Sequence, residues 1–519
     1  MVSVRALTQT ALTSDCLLGN EHVRVGRGVM QKPASTISAK SAFARPFPGK
    51  TVATAAAKPA SNPEWDLIEQ LPMRRVGMFF LLGFLFLRVT ALHELLATKI
   101  GLNTRILYLF GPPAILFMFL SGGFQRALRY RPPRLWLGLL ICLYLSSVFS
   151  YWRSDSLSLA WSYTRAEIMT LVLIAGLAYT MKDFWRIMMT LAAAGFVNIV
   201  LSIIFVAETA GDRMRRDFGT MGNANDFAAH LIYILPFIGL VLFTRRSIVI
   251  RLAAGGMCLI GLYRILSTGS RGAFVALLVT FAFTFWRASI RQKVFLSMGT
   301  ALMGMLLLAL LPSTVATRLK TVFMSAEEEM MATGSEAYES RMSRAHLLKR
   351  SIYLTLTHPL LGVGPGQFMY VENEDAKEQT GKKGSWHVTH NAYTQISSEM
   401  GIPAAILYLG ALWTTFLMLN RVHRLAVRQP PSVTWDRIAI SSYCILVSMV
   451  GFGTACFFLS LGYAYHFPLI TGLTVVLYHI AERESQREEW RKANAAAAQP
   501  ALPKPPVLQQ LRQPFNRAR

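Results

Sequence analysis

Apolar residues along this chain gather into long blocks, separated by short polar or basic connections. Twelve blocks stand out, at approximately 76–96, 106–121, 135–151, 165–180, 184–207, 227–243, 248–267, 272–287, 293–311, 396–420, 437–460 and 464–480. A straight membrane-spanning helix needs roughly twenty apolar residues, and several of the blocks are a little shorter. The pattern predicts an all-α polytopic membrane protein of about twelve transmembrane helices. It divides the chain into a disordered tail at 1–70, nine helices over 71–311, a large loop at 312–391, three helices over 392–481 and a second tail at 482–519.

The three segments outside this pattern differ in kind. Residues 1–70 are rich in Ala, Ser, Pro, Arg and Lys and show no periodicity, as expected of a disordered tail. At the other end, ERESQREEWRK can extend the last helix before AAAAQPALPKPP breaks it. The 312–391 loop has order of its own. Met342, Ala345, Leu348, Ile352 and Leu356 recur at three- and four-residue steps, which predicts a helix over 340–357. His358-Pro359 should end it. The following GVGPG makes a glycine-rich turn, and without a preceding Rossmann-type strand it is no dinucleotide loop.

Composition supports this reading. Of the 519 residues, 53% are hydrophobic and only 16% charged, so a soluble form would expose too much apolar surface. The net charge of +25 would suggest nucleic acid in a soluble protein. Here the basic residues sit between spans, which excludes that partner and points to anionic membrane lipid. Arg126, Arg129, Arg131 and Arg134; Lys182 and Arg186; Arg245, Arg246 and Arg251; Arg287, Arg291 and Lys293; and Arg421, Arg424 and Arg428 occupy every second connection. The positive-inside rule then puts these loops and both tails in the cytoplasm, and the 312–391 loop outside. Cys142, Cys258, Cys444 and Cys456 lie in apolar blocks and Cys16 in the first tail, so no disulfide framework or metal-binding cysteine pattern is implied.

One outward loop breaks the charge rule. GDRMRRDF at 211–218 carries Arg213, Arg215 and Arg216 just ahead of FGTMGNANDFAAHL. Planar guanidinium forks suit phosphate oxygens, although headgroup snorkelling would also place arginines here. On the same face, TGSRGAF at 268–274 holds Arg271 in a minimal connection, where Gly269 and Gly272 permit a tight turn. The chain re-enters the membrane through HVTHNAYTQISSEMGIPAAILYLGAL at 387–412. Asn391 is placed to cap that helix, and His390 is a candidate for acid/base chemistry.

Taken in order, the basic loop leading to FGTMGNANDFA, STGSRGAF, HPLLGVGPGQF and HNAYTQISSEMGIP resemble the bacterial O-antigen ligase and O-antigen polymerase superfamily. The resemblance covers roughly residues 70–480. It implies a C-type glycosyltransferase-like fold in the bacterial inner membrane, with a large periplasmic loop containing short helices and an active site on the periplasmic face. It also implies metal-independent transfer of a glycan from an undecaprenyl-diphosphate carrier to lipid A–core or a growing polysaccharide, with no cofactor. Arg215 or Arg216, Arg271 and Arg341 correspond to diphosphate ligands, and His390 to the histidine that activates or positions the acceptor hydroxyl. Ligase and polymerase are not separated by these residues.

The competing class is a multi-span transporter of a small anion or solute. Arg88, Glu94 and Glu167 fall inside apolar blocks, and buried charges in spans often mark ion paths. Transporters often show repeated halves with broken central helices. Here the polar features crowd at one surface.

Overall fold

A computed structural model describes residues 68, 71–102, 105–205, 223–244, 247–333, 335–381 and 386–498. The basic loop with Arg213, Arg215 and Arg216, nearly all of the 1–70 tail and the chain beyond 498 lie outside the described residues. Among the described residues the regular structure is helical, without strands.

The first group of helices is α1 (Pro72–Thr90), α2 (Leu92–Lys99), α3 (Leu107–Leu120), α4 (Gly123–Ala127), α5 (Arg131–Val148), α6 (Arg153–Tyr163) and α7 (Met169–Leu177). Long helices follow: α8 (Met181–Phe205), α9 (Ala224–Thr244), α10 (Ile248–Ser267), α11 (Arg271–Arg287) and α12 (Ile290–Leu310). The large loop contains α13 (Ser313–Lys320), α14 (Ala326–Thr333), α15 (Ser335–Thr357) and α16 (Phe368–Thr380). The chain closes with α17 (Ala392–Arg428), α18 (Val433–Ala455) and α19 (His466–Ala498).

Each of the twelve apolar blocks falls mainly on helix. By length and apolarity, five helices among the described residues qualify as membrane spans: α8, α9, α10, α17 and α18 with its continuation to Phe458. A sixth is added if α1 and α2, bent by 55°, count as one broken span. The break falls at Ala91, whose φ of 50° interrupts the helix. The last block continues through ERESQREEWRK to Ala498 as one helix, as the sequence suggested.

A single apolar core joins the bundle. α1 packs against α3 and α8; α9 against α8, α10 and α18; α17 against α5, α18 and α19; and α7 against α19. Trp136, Tyr408 and Phe467 meet edge-to-face at its centre, a favoured aromatic geometry. Two charge pairs are buried in the bundle: Arg88 bonds Glu167, and Arg74 bonds Asp183. Removing one partner of such a pair strands a buried charge, at a cost of about 3–5 kcal/mol.

The loop helix is real, but its buried face differs from the expected stripe. Leu347, Ser351 and Leu354 are buried, and the two leucines pack on Val363 and Phe368. Met342, Leu348, Ile352 and Leu356 are exposed. Two apolar stripes share this helix, and periodicity alone does not say which one meets the bundle. The helix ends at Thr357, directly before His358-Pro359.

Beyond that end, the GVGPG turn locks onto the start of α17. Val363 N–H donates to Ser398 O (3.0 Å), Gly364 N–H to Glu399 O (2.9 Å), and Ile402 N–H to Pro359 O (2.7 Å). The buried Glu399 carboxylate accepts from Gly366 N–H (2.8 Å) and Tyr463 O–H (2.7 Å). Gly401, at φ 84°, breaks the helical backbone so that α17 kinks here. A Cβ on Gly362 would press into the Glu399 backbone, and one on Gly401 into the Leu360 carbonyl. The close backbone approach therefore requires both glycines. This clamp fixes α15 relative to α17.

Candidate active site

The clamp matters because the two elements it joins carry two of the polar residues at one end of the bundle. Arg344 lies on α15, half-buried. His390 lies two residues before α17, with its backbone in the left-handed region at φ 51°. Few non-glycine residues adopt that region, and such positions cluster at functional sites. Several contacts hold it there. His390 N–H donates to Ser460 Oγ (2.8 Å), and Thr389 Oγ1 lies 3.1 Å from the same oxygen. Asn391 Oδ1 caps α17 by accepting from Tyr393 N–H and Thr394 N–H, both at 3.0 Å. Its Nδ2 donates to Phe457 O (3.2 Å). The chain between α18 and α19 thus grips the residues that flank the imidazole.

Arg271 is the first residue of α11. Ser270 caps that helix, its Oγ accepting from Ala273 N–H (3.3 Å). Gly272 presses against Phe458, where a Cβ would come within 2.7 Å of the phenylalanine Cβ. This contact brings the start of α11 to the α18–α19 turn that also holds His390. A narrow cleft results, lined by Asn225, Ser270, Gly272, Arg344 and Phe458 among others. The N-termini of α9 and α11 open into it, and that of α17 lies across the same turn. Each carries partial positive charge suited to an anion.

Arg344 feels the like charges of Arg271 and Arg318, which with burial lower its pKa from the ordinary value. Burial first, then Arg344 and His387, push the His390 pKa down to about 4. The imidazole is therefore neutral at neutral pH, able to accept a proton. A half-buried concentration of guanidinium groups repels itself, and an anion bound among them relieves the repulsion.

Of the expected site residues, the structure brings Arg271 and His390 to one place. Arg341 sits one turn before Arg344, on the exposed side of α15. Arg215 and Arg216 lie outside the described residues. Arg344 was missed by sequence reasoning. A signal was available: it lies three and seven residues before Leu347 and Ser351, near the buried face of α15. Among the described residues, no group of three His, Cys, Asp or Glu side chains gathers as a metal site would require.

A helical membrane protein that gathers basic residues and a neutral histidine about Arg344 is a class suited to phosphorylated substrates. Residues 256–409 match the family model for O-antigen ligase, a stretch that contains Arg271, Arg344 and His390. Over that stretch the chain is similar to O-antigen ligases. That similarity supports a ligase- or polymerase-type role in surface polysaccharide synthesis. No curated protein matches the chain.

Proposed function

We propose that this protein transfers a glycan from an undecaprenyl-diphosphate carrier to a saccharide acceptor at the periplasmic face of the inner membrane, without a metal ion. The observation that carries this reading is the convergence of Arg271, Arg344 and His390 within the family-matching stretch. The acceptor hydroxyl oxygen attacks the anomeric carbon, and the carbon–oxygen bond to the diphosphate breaks. The electron pair leaves with the diphosphate, and the hydroxyl proton passes to the His390 imidazole. Arg271 and Arg344, joined by Arg215 or Arg216 and Arg341, stabilise the charge on the leaving group with donors fixed beforehand. Guanidinium groups take the place of the cation that a diphosphate otherwise recruits.

The arrangement in the membrane follows the charge pattern: about twelve spans, basic loops and both termini cytoplasmic, and residues 312–391 periplasmic. This lets the carrier's apolar chain stay in lipid while its diphosphate reaches the outer helix ends. Deleting the gene and examining the surface glycan tests the activity and its type. Unligated full-length chains identify a ligase, and capped single repeat units a polymerase. An unaltered glycan rejects both. Transfer by the purified protein from a synthetic lipid-linked donor should survive EDTA. Inactivation that a divalent ion reverses would reject the metal-independent mechanism.

A further inference from the structure

A trail of exposed rings leads away from His390. The His387 ring lies 6.3 Å from that of His390. Beside it in the chain, Trp386 packs edge-to-face on Tyr370 of α16, with centroids 5.4 Å apart. One helical turn on from Tyr370, Glu374 accepts from Tyr151 O–H. Tyr151 in turn packs edge-to-face on Trp152, at 5.7 Å. Trp152, Trp386 and Tyr151 are 52%, 49% and 48% exposed, although tryptophan is on average highly buried.

The fold holds these side chains firmly at their base. Tyr151 N–H donates to Val363 O (3.4 Å) and Ser156 Oγ–H to Pro365 O (2.8 Å), which ties the α5–α6 connection to the GVGPG turn. The Arg350–Asp375 pair docks α16 on α15. Trp386 stands at φ 52°, a left-handed setting that persists in a non-glycine residue only where the surroundings impose it.

A bilayer interface also collects tryptophan and tyrosine. This trail differs in running into a loop helix and in being interleaved with carboxylates. Glu374 and Glu378 are both exposed, and Glu378 lies close enough for its charge to act on the Tyr151 phenol. An anionic lipid surface repels carboxylates. A saccharide uses both kinds of group: its C–H face lies on an aromatic ring, and its hydroxyls donate to carboxylates in charge-assisted bonds. The trail meets His390 through His387, whereas the arginines meet it through Arg344. Acceptor and diphosphate thus have separate neighbours of the imidazole to arrive by.

We propose that this trail binds the acceptor saccharide and leads its reacting hydroxyl to His390, an inference that rests on the glycosyl-transfer reading above. Trp386, Tyr151 and Trp152 supply faces for successive sugar rings, and Glu374 and Glu378 accept from their hydroxyls.

Binding is measured apart from transfer, by isothermal titration calorimetry of the full chain in a neutral detergent. The probe is the bacterium's own surface polysaccharide, freed of lipid by mild acid with its core attached. The wild type should bind it saturably, and Trp386→Ala and Trp152→Ala should each weaken binding by about tenfold, as loss of an aromatic anchor does. In transfer from a lipid-linked donor, the same variants should raise the KM for acceptor by a similar factor and leave the KM for donor unchanged. The two tryptophans sit on separate elements, so one remains informative if the other variant melts early. A wild type without saturable binding overturns the proposal, as do variants that melt normally and bind equally well. Variants that bind normally but melt early only in vesicles assign the rings to the bilayer, and also overturn it. Binding that the variants weaken, in a protein whose gene deletion leaves the surface glycan unaltered, upholds the saccharide site and rejects glycosyl transfer instead.

Discussion

Between residues 358 and 402 the chain is closed on itself, whereas the cleft beside it is built of groups that repel one another. In the clamp, backbone amides of Val363, Gly364 and Ile402 find carbonyls, and Glu399 takes two donors from separate elements. In the cleft, Arg344 meets the charge of Arg271 and Arg318, and His390 is kept neutral. Self-satisfaction suits a part that holds others in place. Like charge gathered beside a neutral base suits a part completed by a substrate. The glycine-rich turn looks at first like a ligand loop, yet it supports the site without lining it.

Substitutions separate the two regions. The largest effect is expected from His390→Ala, which should lower the transfer rate by about 10²- to 10⁴-fold, the usual contribution of a positioned base. Wild-type transfer should have an acid limb near pH 4, below which the imidazole is protonated and accepts nothing, and the variant should lack it. The folded protein binds this proton less readily than the unfolded chain does, so stability is also lost as pH falls from about 6.5 toward 4. A rate–pH profile paired with thermal melts at each pH distinguishes the two effects. An acid limb retained by His390→Ala would remove the histidine from the chemistry.

Arg344→Ala and Arg271→Ala should each lower transfer by about 10²- to 10³-fold, as loss of a fixed charge-stabilising donor does, while melting behaviour stays near wild type. Arg344→Lys should recover little, because a point charge does not reproduce the fork. The contrast is sharpest against Gly362→Ala. Strain at a positive φ together with overlap on the Glu399 backbone should cost about 3 kcal/mol of stability. Its transfer rate, measured well below the melting temperature, should fall far less than that of Arg344→Ala. A glycine variant that melts normally but does not transfer would put the turn in the chemistry. The smallest effect is expected for Arg341→Ala, a few-fold loss of transfer measured beside Arg344→Ala in the same assay.

How far each region was legible follows from the same contrast. Helices came through because their signal is long and local: apolar blocks, the break at His358-Pro359, and the cap at Asn391 all lie in one stretch of chain. Arg271 and His390 stand out in the sequence because each sits at a boundary that the hydropathy pattern marks. Arg344 was passed over because its role depends on which stripe of α15 faces the bundle. That choice is made by Val363, Phe368 and the clamp, which lie further along the chain. The close contact of Gly272 with Phe458 was equally hidden, since 186 residues separate the two positions.

The kink at Gly401 bears on how the protein meets bilayers of different depth. Below it, α17 continues to Arg428 as a rod of about 40 Å, longer than a hydrocarbon core of about 30 Å. Mismatch between such a rod and the lipid is taken up by tilt. The short segment above the kink is tied to the GVGPG turn and to the α18–α19 turn, so the break at Gly401 is expected to take up tilting of the lower rod before it reaches His390. Transfer rates in vesicles of shorter and longer acyl chains should then change little, while the tilt of α17 changes.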